Sequence, residues 1–406
     1  MPMTTSMWMM GGYQTDFARN WHREGLEFSD LTAESIAGTC EAAGIALTDI
    51  EVIHVGNAFG ELFAGQGHLG AMPATVCPEL WDVPSTRHEA ACASGGTALL
   101  AAMADLRAGD YDVALVLGME LEKTVPGDAA AGNLGAAAWV GHEGQDAKFM
   151  WPHMFAETAD EYDRRYGLDV KHLHRIGELN YANGRRNPKA QTRGWTDIRT
   201  GADDTANPLV EGRLRRYDCS QITDGAAGVI LVSDRYLREH PDARPWSQVT
   251  GWGHRTAGLS LASKITRRSD SPYLMPHLRR TITDAFDRAR VELSDLDGVE
   301  IHDCFSMSEY LTIDHLGLTE VGQSWQAVED GSIEMGGRLP INPSGGLLGG
   351  GHPVGASGVR MLLDASRQVS GRADDNQVEG AKTFGTVNFG GSTATCVATV
   401  CTAVES

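Results

Sequence analysis

Leu47-Thr48-Asp49-Ile50-Glu51-Val52-Ile53-His54-Val55-Gly56-Asn57-Ala58-Phe59 has a counterpart in the second half of the chain, Leu293-Ser294-Asp295-Leu296-Asp297-Gly298-Val299-Glu300-Ile301-His302-Asp303-Cys304-Phe305. Leu, Asp and Phe recur at matching places, with Thr/Ser and Ile/Leu as near matches. Each copy reads as a short turn, a buried strand and a polar-to-aromatic exit. Upstream of the first, Ser29-Asp30 can cap a helix whose apolar positions Leu31, Ile36 and Ala43 end at Gly44. Upstream of the second, a helix is expected from 276 to about 290.

Downstream the order repeats again. Glu89-Ala90-Ala91-Cys92-Ala93-Ser94-Gly95-Gly96 opens an apolar helix from 97 to about 107, Gly109 ends it, and Val113-Ala114-Leu115-Val116-Leu117 reads as a strand covered on both faces. In the second copy Gly351-His352-Pro353-Val354-Gly355-Ala356-Ser357-Gly358 opens a helix through Leu362, Leu363 and Val369 that stops at Gly371, and the strand Phe384-Gly385-Thr386-Val387-Asn388 follows. Two copies of so long a unit imply a duplicated α/β fold with strands and helices in layers. The two small-residue turns, one carrying Cys92 and one His352, then face each other across a pseudo-dyad.

Between the halves the composition changes. Residues 120–218 carry Trp139, Trp151 and Trp195, a helix with Glu157, Tyr162 and Tyr166, and the polar run Asn183-Gly184-Arg185-Arg186-Asn187-Pro188-Lys189, and read as an insertion. Thr223-Asp224-Gly225-Ala226-Ala227-Gly228-Val229-Ile230-Leu231-Val232 returns to core as a turn and a buried strand.

A formal charge of −20 argues against non-specific binding to nucleic acid or anionic membranes. Seven cysteines, odd in number and with no Cys-x-x-Cys pair, read as reduced thiols, hence a cytoplasmic protein. Met7-Trp8-Met9-Met10-Gly11-Gly12 is too short for a signal segment, and Val404-Glu405-Ser406 is not a peroxisomal signal. No metal is expected, since His172-Leu173-His174 and Cys396 with Cys401 lack zinc-site spacing. Gly349-Gly350-Gly351 fits neither a Walker loop nor a dinucleotide fingerprint.

Cys92 is the candidate nucleophile. A thiol at a helix N-terminus faces unpaired N–H groups and the positive end of the helix dipole, which favours the thiolate. Ser94, Gly95 and Gly96 leave room for a ligand to approach the backbone closely. The stretch by itself equally allows a small buried core thiol.

Cys92-Ala93-Ser94-Gly95, His302-Asp303-Cys304-Phe305, Asn342-Pro343-Ser344-Gly345-Gly346 leading to Gly351-His352-Pro353-Val354-Gly355, and Asn388-Phe389-Gly390-Gly391 together resemble thiolases. The likeness is greatest to the sterol-carrier-protein type and its bacterial relatives, and includes Thr223-Asp224-Gly225-Ala226-Ala227 and Met154. It implies an α/β fold layered α-β-α-β-α: an N-terminal half, 1–119, completed by 219–245; an inserted loop domain, 120–218; and a C-terminal half, 246–406.

The resemblance also implies roles. Cys92 accepts an acyl group from a thioester and His352 takes its proton. Where many thiolases carry a C-terminal Cys-x-Gly, this chain has Asn388-Phe389-Gly390, and Cys304 of the His-Asp-Cys-Phe motif becomes the second acid/base. His302 and His352 cradle the enolate oxygen, and the N–H groups of Cys92 and of Gly390 or Gly391 form the other oxyanion hole. Core roles for His302, His352 and Cys304 are the bland alternatives.

Coenzyme A enters as substrate or product, with no permanently bound cofactor. Its contacts are sought at Arg185, Arg186, Lys189, Arg267, Arg268 and Ser344, with Lys264 beside them, although charge runs are as often solvated faces. Trp139, Trp151 and Phe155 line an acyl pocket, or serve as core or subunit contacts. A homodimer or tetramer is implied. Two rival readings are a CoA-thioester aldolase on the same fold, which relies on no acylated cysteine, and a weakly active subunit scaffolding a small acyl-CoA-binding partner.

Overall fold

The computed structural model describes residues 6–404; Glu405 and Ser406, read above for a C-terminal signal, lie outside the described residues. The chain runs β1 (Met7–Gln14), α1 (Phe28–Ala43), β2 (Val52–Gly56), β3 (Ser85–His88), α2 (Ser94–Ala108), β4 (Val113–Glu120). It continues through α3 (Met150–Tyr166), α4 (Val170–Gly184), a ribbon of β5 (Leu209–Glu211) and β6 (Leu214–Arg215), and β7 (Gly225–Ser233). The second half holds β8 (Ser247–Thr256), α5 (Pro276–Ala289), β9 (Gly298–Ile301), α6 (Ser306–Leu316), α7 (Ser357–Val369), β10 (Thr383–Gly390) and β11 (Thr395–Ala403).

The strand pairing repeats as the sequence does. In the first half β2 pairs parallel with β4, β4 antiparallel with β7, and β7 antiparallel with β1. In the second, β9 pairs parallel with β10, β10 antiparallel with β11, and β11 antiparallel with β8. The two sets meet at Met7↔Val249, Trp8↔Gln248 and Met9↔Ser247, which join them into one nine-stranded ladder, β3-β2-β4-β7-β1-β8-β11-β10-β9. The ladder folds around its central helices: α7 touches β9, β10 and β11 as well as β1, β4 and β7. Helix α1 covers β1 and β7 from outside, and α5 covers β8 and β11. These are the expected five layers, with the two sheets joined edge to edge.

Two local expectations need correction. Helix α1 begins at Phe28 with Glu27 as its N-cap, and Asp30 sits at the third helical position, where its carboxylate accepts the Glu27 N–H at 2.9 Å. The acid therefore closes a capping box from inside the helix instead of preceding it. Gly95 and Gly96 do not face a ligand. A Cβ on Gly95 would lie 2.8 Å from the Gly355 carbonyl oxygen, and one on Gly96 the same distance from Asn388 Oδ1. These glycines let the N-termini of α2 and α7 touch backbone to backbone, which brings the Cys92 and His352 turns together.

Helices α3 and α4 pack on the outer face of the second half. Met154, Phe155, Leu173 and Ile176 share a core with Leu278, Val299 and Tyr310. Among the described residues, no helix is long and apolar enough to cross a membrane.

Candidate active site

Cys92 lies just ahead of α2, with Ala93 as the N-cap and Ser94 as the first helical residue. Ala91 holds a left-handed backbone, φ 50°, which costs a residue with a Cβ about 1–3 kcal/mol and persists only where its surroundings demand it. They do so here. Ser94 Oγ accepts the Ala90 N–H at 2.9 Å and donates to the Ala91 carbonyl at 2.6 Å, while Glu89 Oε1 accepts the Ala91 N–H at 2.6 Å. The turn is a braced elbow that presents the Cys92 sulfur at the floor of a cavity.

The second turn supplies His352, and His302 directly follows the last residue of β9. One ligating atom each of Cys92, His302 and His352 lies within 4.8 Å of the others, and the two imidazoles meet edge to face with centroids 5.1 Å apart. Cys304 lines the same cavity as Cys92 and His352, its sulfur 3.7 Å from Ser308 Oγ. The four residues expected to carry the chemistry therefore converge on one place.

Hydrogen bonds assign the tautomers. Ser357 Oγ lies 3.0 Å from the Pro353 carbonyl, which can only accept, so the hydroxyl proton is committed there. The same oxygen, 2.7 Å from His352 Nδ1, must then accept, which leaves the proton on Nδ1 and a bare lone pair on Nε2. Asn388 works in the opposite sense on His302. Its Nδ2 donates to the Cys92 carbonyl at 3.1 Å, which fixes the amide orientation, and also lies 3.0 Å from His302 Nδ1. His302 Nδ1 must accept, so its proton resides on Nε2, a buried atom with no partner among the described residues. One imidazole offers a base and the other a donor.

Electrostatics correct the expectation of a resting thiolate. Burial, reinforced by the Glu122 carboxyl, pushes the Cys92 thiol up to about 12, against the N–H groups of Gly391 and of Cys92 itself, which favour its anion. Cys92 stands outside the first helical turn, and desolvation outweighs the dipole. Burial drives His352 down to about 3, helped by Arg360, and holds His302 well below the usual imidazole range, so both are neutral. Burial also raises the Cys304 thiol, with Cys92 as the next cause. Of the two glycines considered for the oxyanion hole, the Gly391 N–H is the one that reaches the sulfur. Gly390 instead allows close approach to the Ala90 carbonyl, which a Cβ would block.

The residues sought for coenzyme A do not assemble. Ser344 is buried, its hydroxyl donating to Glu300 Oε2 at 2.6 Å and accepting from Arg360 Nη1 at 2.8 Å, so it has nothing left for a ligand. Lys264 is buried too, its ammonium bound to the carbonyls of Gly258 and Leu259 and to Ser392 Oγ. Arg185, Arg186, Arg267 and Arg268 are exposed, and Lys189 lies over the Tyr13 ring at 5.0 Å; none of the five lines the cavity. The cation that does is Arg216, which makes no ion pair among the described residues. It went unsought because it belongs to no basic run.

The cavity holds about 290 Å³ and is walled by Trp151, Phe155, Leu134 and Phe305 on its apolar side. Phe155 stacks on Phe305 at 4.7 Å, and Trp151 donates to the Leu134 carbonyl at 2.8 Å. Trp139 is 46 % exposed and stays outside.

The fold and this cysteine–histidine site define a class. The chain belongs to the thiolase family: the model of the thiolase N-terminal domain matches residues 8–197 and that of the thiolase C-terminal domain matches residues 259–403. Among its relatives is an acetyl-CoA acetyltransferase of Methanothermobacter thermautotrophicus, 33% identical over 388 residues, covering 95% of this chain and 97% of that one. Human sterol carrier protein 2 is 27% identical over 93% of this chain and 68% of its own length. A solved structure described as an Ltp2-ChsH2(DUF35) aldolase shares the fold, with a TM-score of 0.77, 20% identity and coverage of 99% of this chain and 98% of that one.

Proposed function

We propose that the protein transfers acyl groups between CoA thioesters through an acyl-Cys92 intermediate, either cleaving 3-ketoacyl-CoA with CoA or condensing acetyl-CoA. One observation carries this reading: the Cys92 sulfur and one ring nitrogen each of His302 and His352 lie within 4.8 Å of one another, and hydrogen bonding leaves Nε2 bare on His352 and protonated on His302. His352 Nε2 takes the thiol proton as the sulfur attacks the carbonyl carbon. The N–H groups of Cys92 and Gly391 accept the charge that develops on the carbonyl oxygen. In the cleavage direction the bond to the α-carbon breaks, His302 Nε2–H supports the enolate oxygen, and Cys304 gives its proton to the carbon. Burial keeps Cys304 in the thiol form that this step needs. CoA thiol then gives its proton to the Cys304 thiolate as its sulfur attacks acyl-Cys92, and the proton on His352 returns to the Cys92 sulfur as that sulfur leaves.

Incubation with acetyl-CoA, and with 3-ketoacyl-CoAs of several lengths plus CoA, tests the reading by mapping the acylated residue by mass spectrometry. A thioester on Cys92 is expected. If none forms with any substrate, the reading fails, and the aldolase reading suggested by the shared fold takes its place. A homodimer or tetramer, and a small acyl-CoA-binding partner, remain part of the proposal; sedimentation alone and with such a partner tests both.

The tautomer argument makes a prediction of its own. Asn388→Asp is isosteric but presents an acceptor to His302 Nδ1, moving the imidazole proton there and stripping Nε2 of its donor. Loss of one such donor costs about 10²–10³ in rate. Carbon–carbon cleavage should fall in that range while the mass of acyl-Cys92 formed from acetyl-CoA is retained; equal loss of both would contradict the assignment.

A further inference from the structure

Three carboxyls are buried together beside the cavity: Glu120, the last residue of β4, Glu122 two residues beyond it, and Asp224 immediately ahead of β7. Two of them are fully occupied by structure. Glu120 accepts from Asn57 Nδ2 at 2.7 Å and from the N–H groups of Ala58, Phe59 and Gly355 at 3.0 Å. Asp224 accepts the N–H groups of Glu122 and Lys123 at 2.7 Å and that of Trp21 at 3.1 Å. Glu122 differs. Its Oε1 accepts the Val354 N–H at 3.0 Å, the backbone of Thr223 also favours its anion, and it alone of the three lines the cavity, beside Cys92 and His352.

We propose that Glu122 is a positioning residue with two separable tasks: its side-chain Oε1 clamps the turn that carries His352, and its carboxyl proton keeps negative charge away from the Cys92 sulfur. This rests on Cys92 being the nucleophile. The clamp acts two residues beyond His352, and Glu120 steadies the next N–H, so the base is anchored from β4. The second task follows from the surroundings. The groups facing Glu122 are Glu120 at the end of β4, Asp224 just ahead of β7 and the Cys92 thiol, with Lys123 the neighbouring cation, bound to the Arg19 carbonyl at 2.7 Å. Burial and the Glu120 charge hold Glu122 well above the usual carboxyl range, which favours its neutral form. When it ionises at higher pH, its charge opposes the thiolate it faces.

The two tasks respond to different substitutions. Glu122→Gln keeps an oxygen for the Val354 N–H and abolishes the charge; Glu122→Asp keeps the charge and withdraws the oxygen by one methylene. The readout is the rate of Cys92 alkylation by iodoacetamide from pH 7 to 10, located by peptide mass. A thiol far below its pKa gains about tenfold in thiolate per pH unit. Glu122→Gln should follow that slope throughout. The wild type should rise less steeply as Glu122 ionises, so that the two curves diverge with pH. Glu122→Asp should keep the shallow wild-type slope while its kcat for acyl transfer falls. Coincident slopes for wild type and Glu122→Gln would overturn the proposal, as would a Glu122→Asp protein with the steep slope. Circular dichroism of each variant confirms that folded protein is compared. Failure of acyl-Cys92 to form in the wild type at pH 7 is a separate outcome, and it would remove the nucleophile reading itself.

Discussion

Replacing His352 with asparagine should lower the rate of Cys92 acylation by about 10²–10⁴-fold, the contribution of a positioned general base. The cause lies in the resting state of the nucleophile. With the Cys92 thiol pushed up to about 12, almost none of it is thiolate at neutral pH, and the proton must leave as the sulfur attacks. Asparagine carries an amide N–H near the place of Nδ1 and so preserves the bond to Ser357 Oγ, removing only the basic Nε2. The sign of the pH dependence is part of the expectation. His352 is held down to about 3, so it stays neutral and competent from pH 5 to 8 and contributes no acid limb there. His352→Asn must rely on preformed thiolate, so its rate should climb about tenfold per pH unit. Rapid measurement of CoA release between pH 5 and 9 checks both statements. A variant as fast as the wild type, or with the same flat profile, would remove His352 from the proton transfer.

The fold was legible because duplication leaves periodic traces. The paired stretches beginning at Leu47 and Leu293 each fold as one turn of 3₁₀ helix and a buried strand, and Gly44 and Gly109 end their helices in left-handed conformations. The meeting of Cys92 with His352 was legible from the same symmetry. What escaped were residues whose role is set by a neighbour brought from far along the chain. Asn388 stands in the sequence only as the residue that replaces a C-terminal cysteine, yet its contact with the Cys92 carbonyl decides which nitrogen of His302 carries the proton. Ser344 sits in a conspicuous motif, but Glu300 and Arg360 claim its hydroxyl. The resting charge of Cys92 was misjudged for a related reason. Position in sequence locates a helix N-terminus, whereas desolvation depends on everything that packs over the sulfur, Glu122 included.

Cys304→Ala should divide the reaction where His352→Asn slows all of it. Acylation of Cys92 by a simple thioester needs no proton at carbon, so the acyl-enzyme should still form at close to the wild-type rate. Cleavage or formation of the carbon–carbon bond does need one, and losing the group that supplies it should cost about 10²–10⁴-fold. The sulfur of Cys304 is buried, 3.7 Å from Ser308 Oγ, whose proton is given to the Phe305 carbonyl, so alanine removes one atom from the cavity wall and leaves that hydroxyl paired. The variant should therefore keep its fold, which thermal unfolding verifies. Exchange of labelled CoA into acetyl-CoA reads the first half-reaction, and thiolysis of acetoacetyl-CoA reads both. Equal loss in the two assays would place Cys304 among the residues that shape the cavity. Loss confined to the second would make it the acid that protonates the enolate, and would explain how Asn388 can occupy the position where other members of the resemblance carry a cysteine: that side chain is free to orient His302 because the proton comes from β9's exit instead.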